Sequence, residues 1–168
     1  MIDAPRLATI DEVLLVLNEV CDPEIPSLTI ADLGILREVY ERDGNFVVVI
    51  TPTYSGCPAM QTIEDDIGIA LTNAGIDNYR IETRLAPAWT TDWLSESGRN
   101  KLLEVGIAPP AEATSDKRKI RLARPLIIQC PQCKSSNTER ISEFGSTACK
   151  ALYRCVDCRE PFDYFKCI

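Results

Sequence analysis

Histidine is missing from this chain altogether. Its absence removes the commonest general base and the imidazole metal ligand together. No Ser-His-Asp or Cys-His constellation can be assembled. No Glu-x-x-His pair exists to hold a di-iron centre. Any metal must therefore rest on thiolates, carboxylates or groups from a partner. Fingerprints for dinucleotide or flavin binding are lacking too, which argues against a reductase. Long apolar runs are also missing: FVVVI at 46–50 is far too short to span a bilayer, so no membrane role is expected. The opening MIDAPRLATIDEV has no basic stretch followed by an apolar one. Export is not expected on that ground, and the cytoplasm is the expected compartment.

What is present suits a soluble globular protein. The 168 residues are 45% hydrophobic and 26% charged, enough for one ordinary domain plus a small module. Eight cysteines in a reducing compartment point to metal or thiol chemistry rather than disulfides. Charge is unevenly spread. Residues 1–115 carry a net −12 and residues 116–168 a net +5. Opposite signs suggest two modules.

Local patterns give an element order. Residues 9–21 read as an amphipathic helix opened by a Thr9/Glu12 capping box and ended by Asp22-Pro23. Residues 22–34 read as an extended loop. Residues 35–40 and 46–51 read as a hairpin turning at Arg42-Asp43-Gly44-Asn45. A second helix starts near Pro58 with the stripe Met60, Ile63, Ile67, Ala70, Leu71 and Ala74, and stops at Gly75. Residues 78–86 suit a third strand, and 91–105 suit helix in two short pieces. The order α-β-β-α-β-α predicts a compact α+β domain over 1–107. Residues 108–119, APPAEATSDKRK, read as a linker, and 120–168 as a small β-type module.

That module holds two knuckles, Cys130-Pro-Gln-Cys133 and Cys155-Val-Asp-Cys158, with 21 residues between them. A CxxC turn aims two thiolates at one point, and two such turns complete a tetrahedron. Some 50 residues build too little core alone, so a structural zinc ion is expected to supply folding energy; the same cage also suits iron. Cys149 falls on one strand face with Ala151, Tyr153 and Cys155, as a buried apolar residue or as a spare ligand. Cys167 reads as structural.

Cys57 stands apart from these. It precedes the first turn of the second helix, where free N–H groups and the helix dipole are expected to lower a thiol pKa and favour thiolate. The alternative is a structural cysteine in a turn. Asp22, Glu24 and Asp32 could be acid/base residues or hard metal ligands, but Asp22 and Asp32 also have local roles available, the first capping a turn and the second fixing the loop before Gly34. Glu24 has none and stays open. A single thiol cannot hold an iron–sulfur cluster, which generally needs four protein ligands. A transient cluster there would need a dimer, a second chain or a client's thiols, and a homodimer is the expected form.

The segments DPEIP at 22–26, DLG at 32–34 and TPTYSGCPA at 51–59 resemble the small domain of iron–sulfur-cluster assembly factors, which occurs with the SUF machinery and in the cytosolic iron–sulfur targeting complex. That resemblance covers roughly residues 9–105. The knuckle CPQC, EFGSTACKALYRC and CREPFDYFKCI resemble the phenylacetate-degradation PaaD family, encoded with the multicomponent phenylacetyl-CoA epoxidase. The resemblance implies a non-enzymatic accessory or maturation factor. It implies the epoxidase reductase subunit, with its plant-type cluster, as client, and the assembly machinery as partner. It places the reactive cysteine at Cys57, lined by Asp22, Glu24, Thr51 and Ser55. A structural adaptor bridging oxygenase subunits is the other reading. Nucleic acid is not an expected partner: residues 117–124 are basic, but the chain as a whole is acidic.

Overall fold

The computed structural model describes residues 8–110 and 127–166. It divides into two compact units, 1–89 and 90–168. Helix α1 spans Ile10–Leu17 in the first. Its capping box forms: Thr9 Oγ1 accepts from the Glu12 N–H at 3.3 Å, and Glu12 Oε2 accepts from the Thr9 N–H at 2.8 Å. The helix ends earlier than residue 21, because the following backbone finds better partners across the loop. The Ile30 N–H donates to the Val20 carbonyl at 2.9 Å, and Cys21 bridges to Thr29.

Strands β1 (Leu36–Arg42) and β2 (Asn45–Ile50) form the hairpin, with Arg42 opposite Asn45. Asp43 and Gly44 both take positive φ, 53° and 73°, matching the tight turn whose twist suits a hairpin. Strand β3 (Tyr79–Thr83) lies parallel to β2, so β2 is central in the order β1-β2-β3. Its residues Phe46 to Ile50 are all buried. The crossover from β2 to β3 is α2 (Ala59–Asn73), which buries Ala59, Ile63, Ile67 and Leu71. This stripe is narrower than expected, since Met60 and Ala70 are half-buried and Ala74 is exposed. Gly75, at φ 76°, ends the helix. Trp89 closes the unit, donating its indole N–H to the Leu33 carbonyl at 2.8 Å.

The second unit opens with a short 3₁₀ turn, Thr91–Trp93, and helix α3 (Glu96–Glu104), N-capped by Ser95. Arg99 ties this helix to the Pro110 carbonyl at 2.8 Å. Strands β4 (Thr138–Ser142), β5 (Lys150–Cys155) and β6 (Pro161–Phe165) form an antiparallel sheet with β5 central. Ala108 pairs with Tyr164 beside this sheet, donating to the Asp163 carbonyl at 2.8 Å and accepting from the Phe165 N–H at 2.9 Å. The compact division falls after Trp89, and the boundary drawn from the sequence lies at 107. The core joins Ala108, Ile128, Cys130, Ala151, Cys155, Phe162 and Tyr164, with Tyr153 stacked on Phe162. The architecture is α+β with a small β-type module. Linker positions 111–119, the basic stretch 117–124 and Cys167 lie outside the described residues. No helix among the described residues is long and apolar enough to cross a membrane.

Candidate functional site

Two sulfur sites emerge, one in each unit. In the second, the Sγ atoms of Cys130, Cys133, Cys155 and Cys158 all lie within 4.8 Å of one another. Cys130 and Cys158 approach to 3.7 Å, and Cys133 and Cys155 to 3.5 Å. A tetrahedral zinc site with bonds near 2.3 Å sets its sulfurs about 3.8 Å apart. A disulfide would need roughly 2.05 Å. The cage thus has metal spacing, and its all-sulfur donor set fits zinc. Four protein ligands would leave no open coordination position, so such an ion would supply folding energy rather than catalysis.

Local structure aims the knuckles. The Lys134 N–H donates to the Cys130 carbonyl at 3.0 Å, and the Cys155 N–H to the Glu160 carbonyl at 3.0 Å. Asp157 clasps one knuckle to the other: its carboxylate accepts from the Ser135 hydroxyl and from the Asn137 amide at 2.8 Å. Those donors hold the Asp157 carboxyl below its usual range. Backbone N–H donation from Cys158 brings the Cys155 thiol down to about 7, against the opposing effect of desolvation. At Cys158 the Glu160 N–H also pulls downward, but desolvation and bonding from the neighbouring sulfurs win and push it up to about 12. Cys149 is buried, bonded to the Thr147 hydroxyl at 3.0 Å, and outside the cage.

The first unit holds Cys57, half-buried between β2 and α2. Its N–H donates to the Tyr54 carbonyl at 3.1 Å, closing the turn that leads into α2. Pro58 is the N-cap residue and supplies no side-chain bond. The Cys57 thiol is pushed above its ordinary pKa, against the expectation of a lowered value. Burial is the largest cause, and the charges of Glu24 and then Asp22 add to it. The Ala59 N–H and the Thr53 hydroxyl pull the other way without prevailing. Half-burial beside two carboxylates outweighs the helix start, and both favour the neutral thiol over the thiolate.

The loop carboxylates divide their work. Asp22 is buried, and its Oδ1 accepts from the Glu24 N–H at 2.9 Å and the Ile25 N–H at 2.8 Å. Asp32 accepts from the Thr29 N–H at 3.3 Å, while Thr29 Oγ1 accepts from the Asp32 N–H at 3.1 Å. Both therefore build loop structure. Glu24 is half-buried and acts on Cys57 through its charge. Thr51 is buried at the end of β2, and Ser55 is exposed at the turn. The hydroxyl that reaches the sulfur belongs to Thr53, which sequence reasoning missed. Its signal was its place in the same TPTYSGC loop.

Fold and sulfur sites together define a class: an α+β domain carrying one half-buried thiol, followed by a four-thiol metal ribbon. Residues 10–77 match the family model of an iron–sulfur cluster assembly protein, and residues 114–166 match the PaaD zinc beta ribbon domain. The chain is 49% identical over 168 residues to an Escherichia coli (strain K12) protein provisionally named as a subunit of 1,2-phenylacetyl-CoA epoxidase, spanning 97% of this chain and 99% of that one. It is 32% identical over 102 residues to an Fe-S protein maturation auxiliary factor of Porphyromonas gingivalis (strain W83), covering 60% of this chain and 93% of that protein. Among solved structures, a DUF59 domain of unknown function from Bacillus anthracis is 26% identical with a TM-score of 0.51, covering 55% of this chain and 89% of that one. A conserved hypothetical protein of Thermotoga maritima is 29% identical with a TM-score of 0.50, covering 59% and 98% respectively. The chain belongs to the PaaD family, in which an iron–sulfur assembly domain is joined to a zinc ribbon.

Proposed function

We propose that this chain is a non-enzymatic maturation factor of the multicomponent phenylacetyl-CoA epoxidase, assisting iron–sulfur insertion into the reductase subunit. The observation that carries the reading is the separation of its sulfurs. Four thiols are committed to one cage, while Cys57 stands outside it, half-buried and beside Glu24 and Asp22. Cargo iron bonding Cys57 would displace the thiol proton. Passing that iron to a client thiol would break the bond, with the client's proton leaving and one returning to Cys57. A single protein sulfur holds cargo weakly, which suits delivery. The remaining ligands would come from a second copy of the chain or from the client, and a homodimer meeting the assembly machinery in the cytoplasm fits this. Asp22, Glu24, Thr51 and Ser55 would shape the approach to the sulfur.

The test is Cys57→Ser. The variant should fold, keep its zinc and yield a client reductase deficient in iron and sulfide. A fully loaded, active reductase from that strain would reject the proposal. The adaptor reading draws on the Escherichia coli relative's name, which calls that protein an epoxidase subunit. It requires a stable stoichiometric complex with the epoxidase, and it fails if the purified epoxidase is active without this chain.

A further inference from the structure

Each knuckle of the ribbon runs straight into a cation held in a backbone conformation that suits glycine. Lys134 follows Cys133 with φ 62°, and Arg159 follows Cys158 with φ 66°. A side chain in this left-handed region crowds its own carbonyl, and glycine is the residue that avoids the strain. The turn needs that conformation immediately after its second thiol, where the chain swings away from the cage. Two knuckles from different parts of the chain therefore share one costly choice, and both make it with a positive charge.

Neither cation is engaged by an acid. Among the described residues, no carboxylate pairs with Lys134 or Arg159. Asp157, on the same knuckle as Arg159, gives its carboxylate to Ser135 and Asn137, and Glu160, the next residue in the chain, forms no ion pair with Arg159. The Lys134 ammonium instead turns back over its own knuckle and donates to the Pro131 carbonyl at 2.8 Å. That places it on the loop between Cys130 and Cys133. Four thiolates around a divalent ion leave a net charge of about −2, which two cations would offset.

We propose that Lys134 and Arg159, one per knuckle, hold the loaded four-thiolate centre by charge and set how long it keeps its metal. The cations replace glycine because retention gains more from charge than the turn loses to strain. This role depends on the ribbon cage and not on Cys57, so it stands or falls separately from the delivery role.

The experiment uses the full chain loaded with zinc alone. Zinc release to a chromophoric chelator is timed for the wild type, Lys134→Gly, Arg159→Gly and the double variant, across a salt series. Lys134→Arg and Arg159→Lys accompany them. Glycine relieves the left-handed strain, so at Arg159 a purely structural role predicts release at the wild-type rate or slower; at Lys134, where glycine also deletes the bond to the Pro131 carbonyl, the salt series separates charge from structure. The charge role predicts the opposite sign: each glycine variant releases zinc about tenfold faster at low salt, as outer contacts to metal ligands commonly do. Added salt should quicken the wild type and narrow the gap. The Lys/Arg exchanges should keep the wild-type rate. Glycine variants that retain zinc as well as the wild type, a wild type insensitive to salt, or exchanges as leaky as glycine would each overturn the proposal.

Discussion

The loop facing Cys57 is pinned at its start by a buried carboxylate, and removing it gives a sharp measurement. Asp22 is 8% exposed, and a single oxygen accepts two backbone N–H groups, those of Glu24 and Ile25, at 2.9 and 2.8 Å. Asp22→Ala deletes the acceptor and leaves the buried Ile25 N–H without it. A hydrogen bond to a charged group contributes about 1.5–3 kcal/mol, and the two donors share one oxygen, so the loss should be about 2–3 kcal/mol. Asp22→Asn keeps an oxygen in place but not its charge, and should lose about 1 kcal/mol. Urea unfolding is the assay, read by fluorescence. Trp89 reports on the same stretch of chain, since its indole N–H bonds the Leu33 carbonyl at the loop's far end. With an ordinary urea slope, the alanine midpoint should fall by about 1–2 M. An alanine variant within about 0.5 kcal/mol of wild type, or an asparagine variant as weak as alanine, would refute the reasoning.

Two further outcomes follow from the sulfur sites. The folded Cys57 pKa is raised by burial and by the charges of Glu24 and Asp22, so alkylation of Cys57 should have its pH midpoint above that of the unfolded chain, and Glu24→Gln should lower the midpoint further than Asp22→Asn does. Because the folded value is raised, the associated stability is complete below the unfolded thiol's pKa and disappears as pH rises through the folded value; Cys57→Ser should lack that alkaline loss, and an unmoved midpoint in Glu24→Gln counts against the electrostatic account. Stripping the metal with a chelator should remove on the order of 10 kcal/mol of binding-coupled folding and abolish the near-ultraviolet signal of Tyr153, Phe162 and Tyr164, whereas strands that persist without metal would show the cage is not structural.

Features set by a few neighbouring residues were legible in the sequence. The Thr9/Glu12 box, the Asp43-Gly44 turn, the Pro58 helix start and the two knuckles each follow from local chemistry, and each forms. Features set across the fold were not. The end of α1 depends on Ile30 reaching Val20, and the place of Ala108 beside the ribbon sheet depends on its pairing with Tyr164. Neither partner is visible from sequence spacing. The sign of the Cys57 shift belongs with these. A helix start is a local feature and predicts a lowered value, but the carboxylates that oppose it come from a loop more than thirty residues earlier.

That sign alters the chemistry expected of Cys57. A low-pKa thiolate would be the better nucleophile and would be ready to bind metal, but it would also be open to oxidation. A thiol whose neutral form is favoured by burial and two carboxylates would be quiet until a cation arrived to displace its proton. The same carboxylates that disfavour thiolate also favour an approaching positive ion, so Glu24 and Asp22 oppose ionisation of the empty site yet support its loading. The ribbon differs in number: four sulfurs within 4.8 Å share the binding of one ion, and none needs to act alone. One sulfur that must exchange a proton for each visitor is poorly suited to retention, and four that close around an ion are poorly suited to release. On the proposed delivery role, the chain would keep its two metal tasks apart by ligand count, with charge tuning each in the direction its task requires.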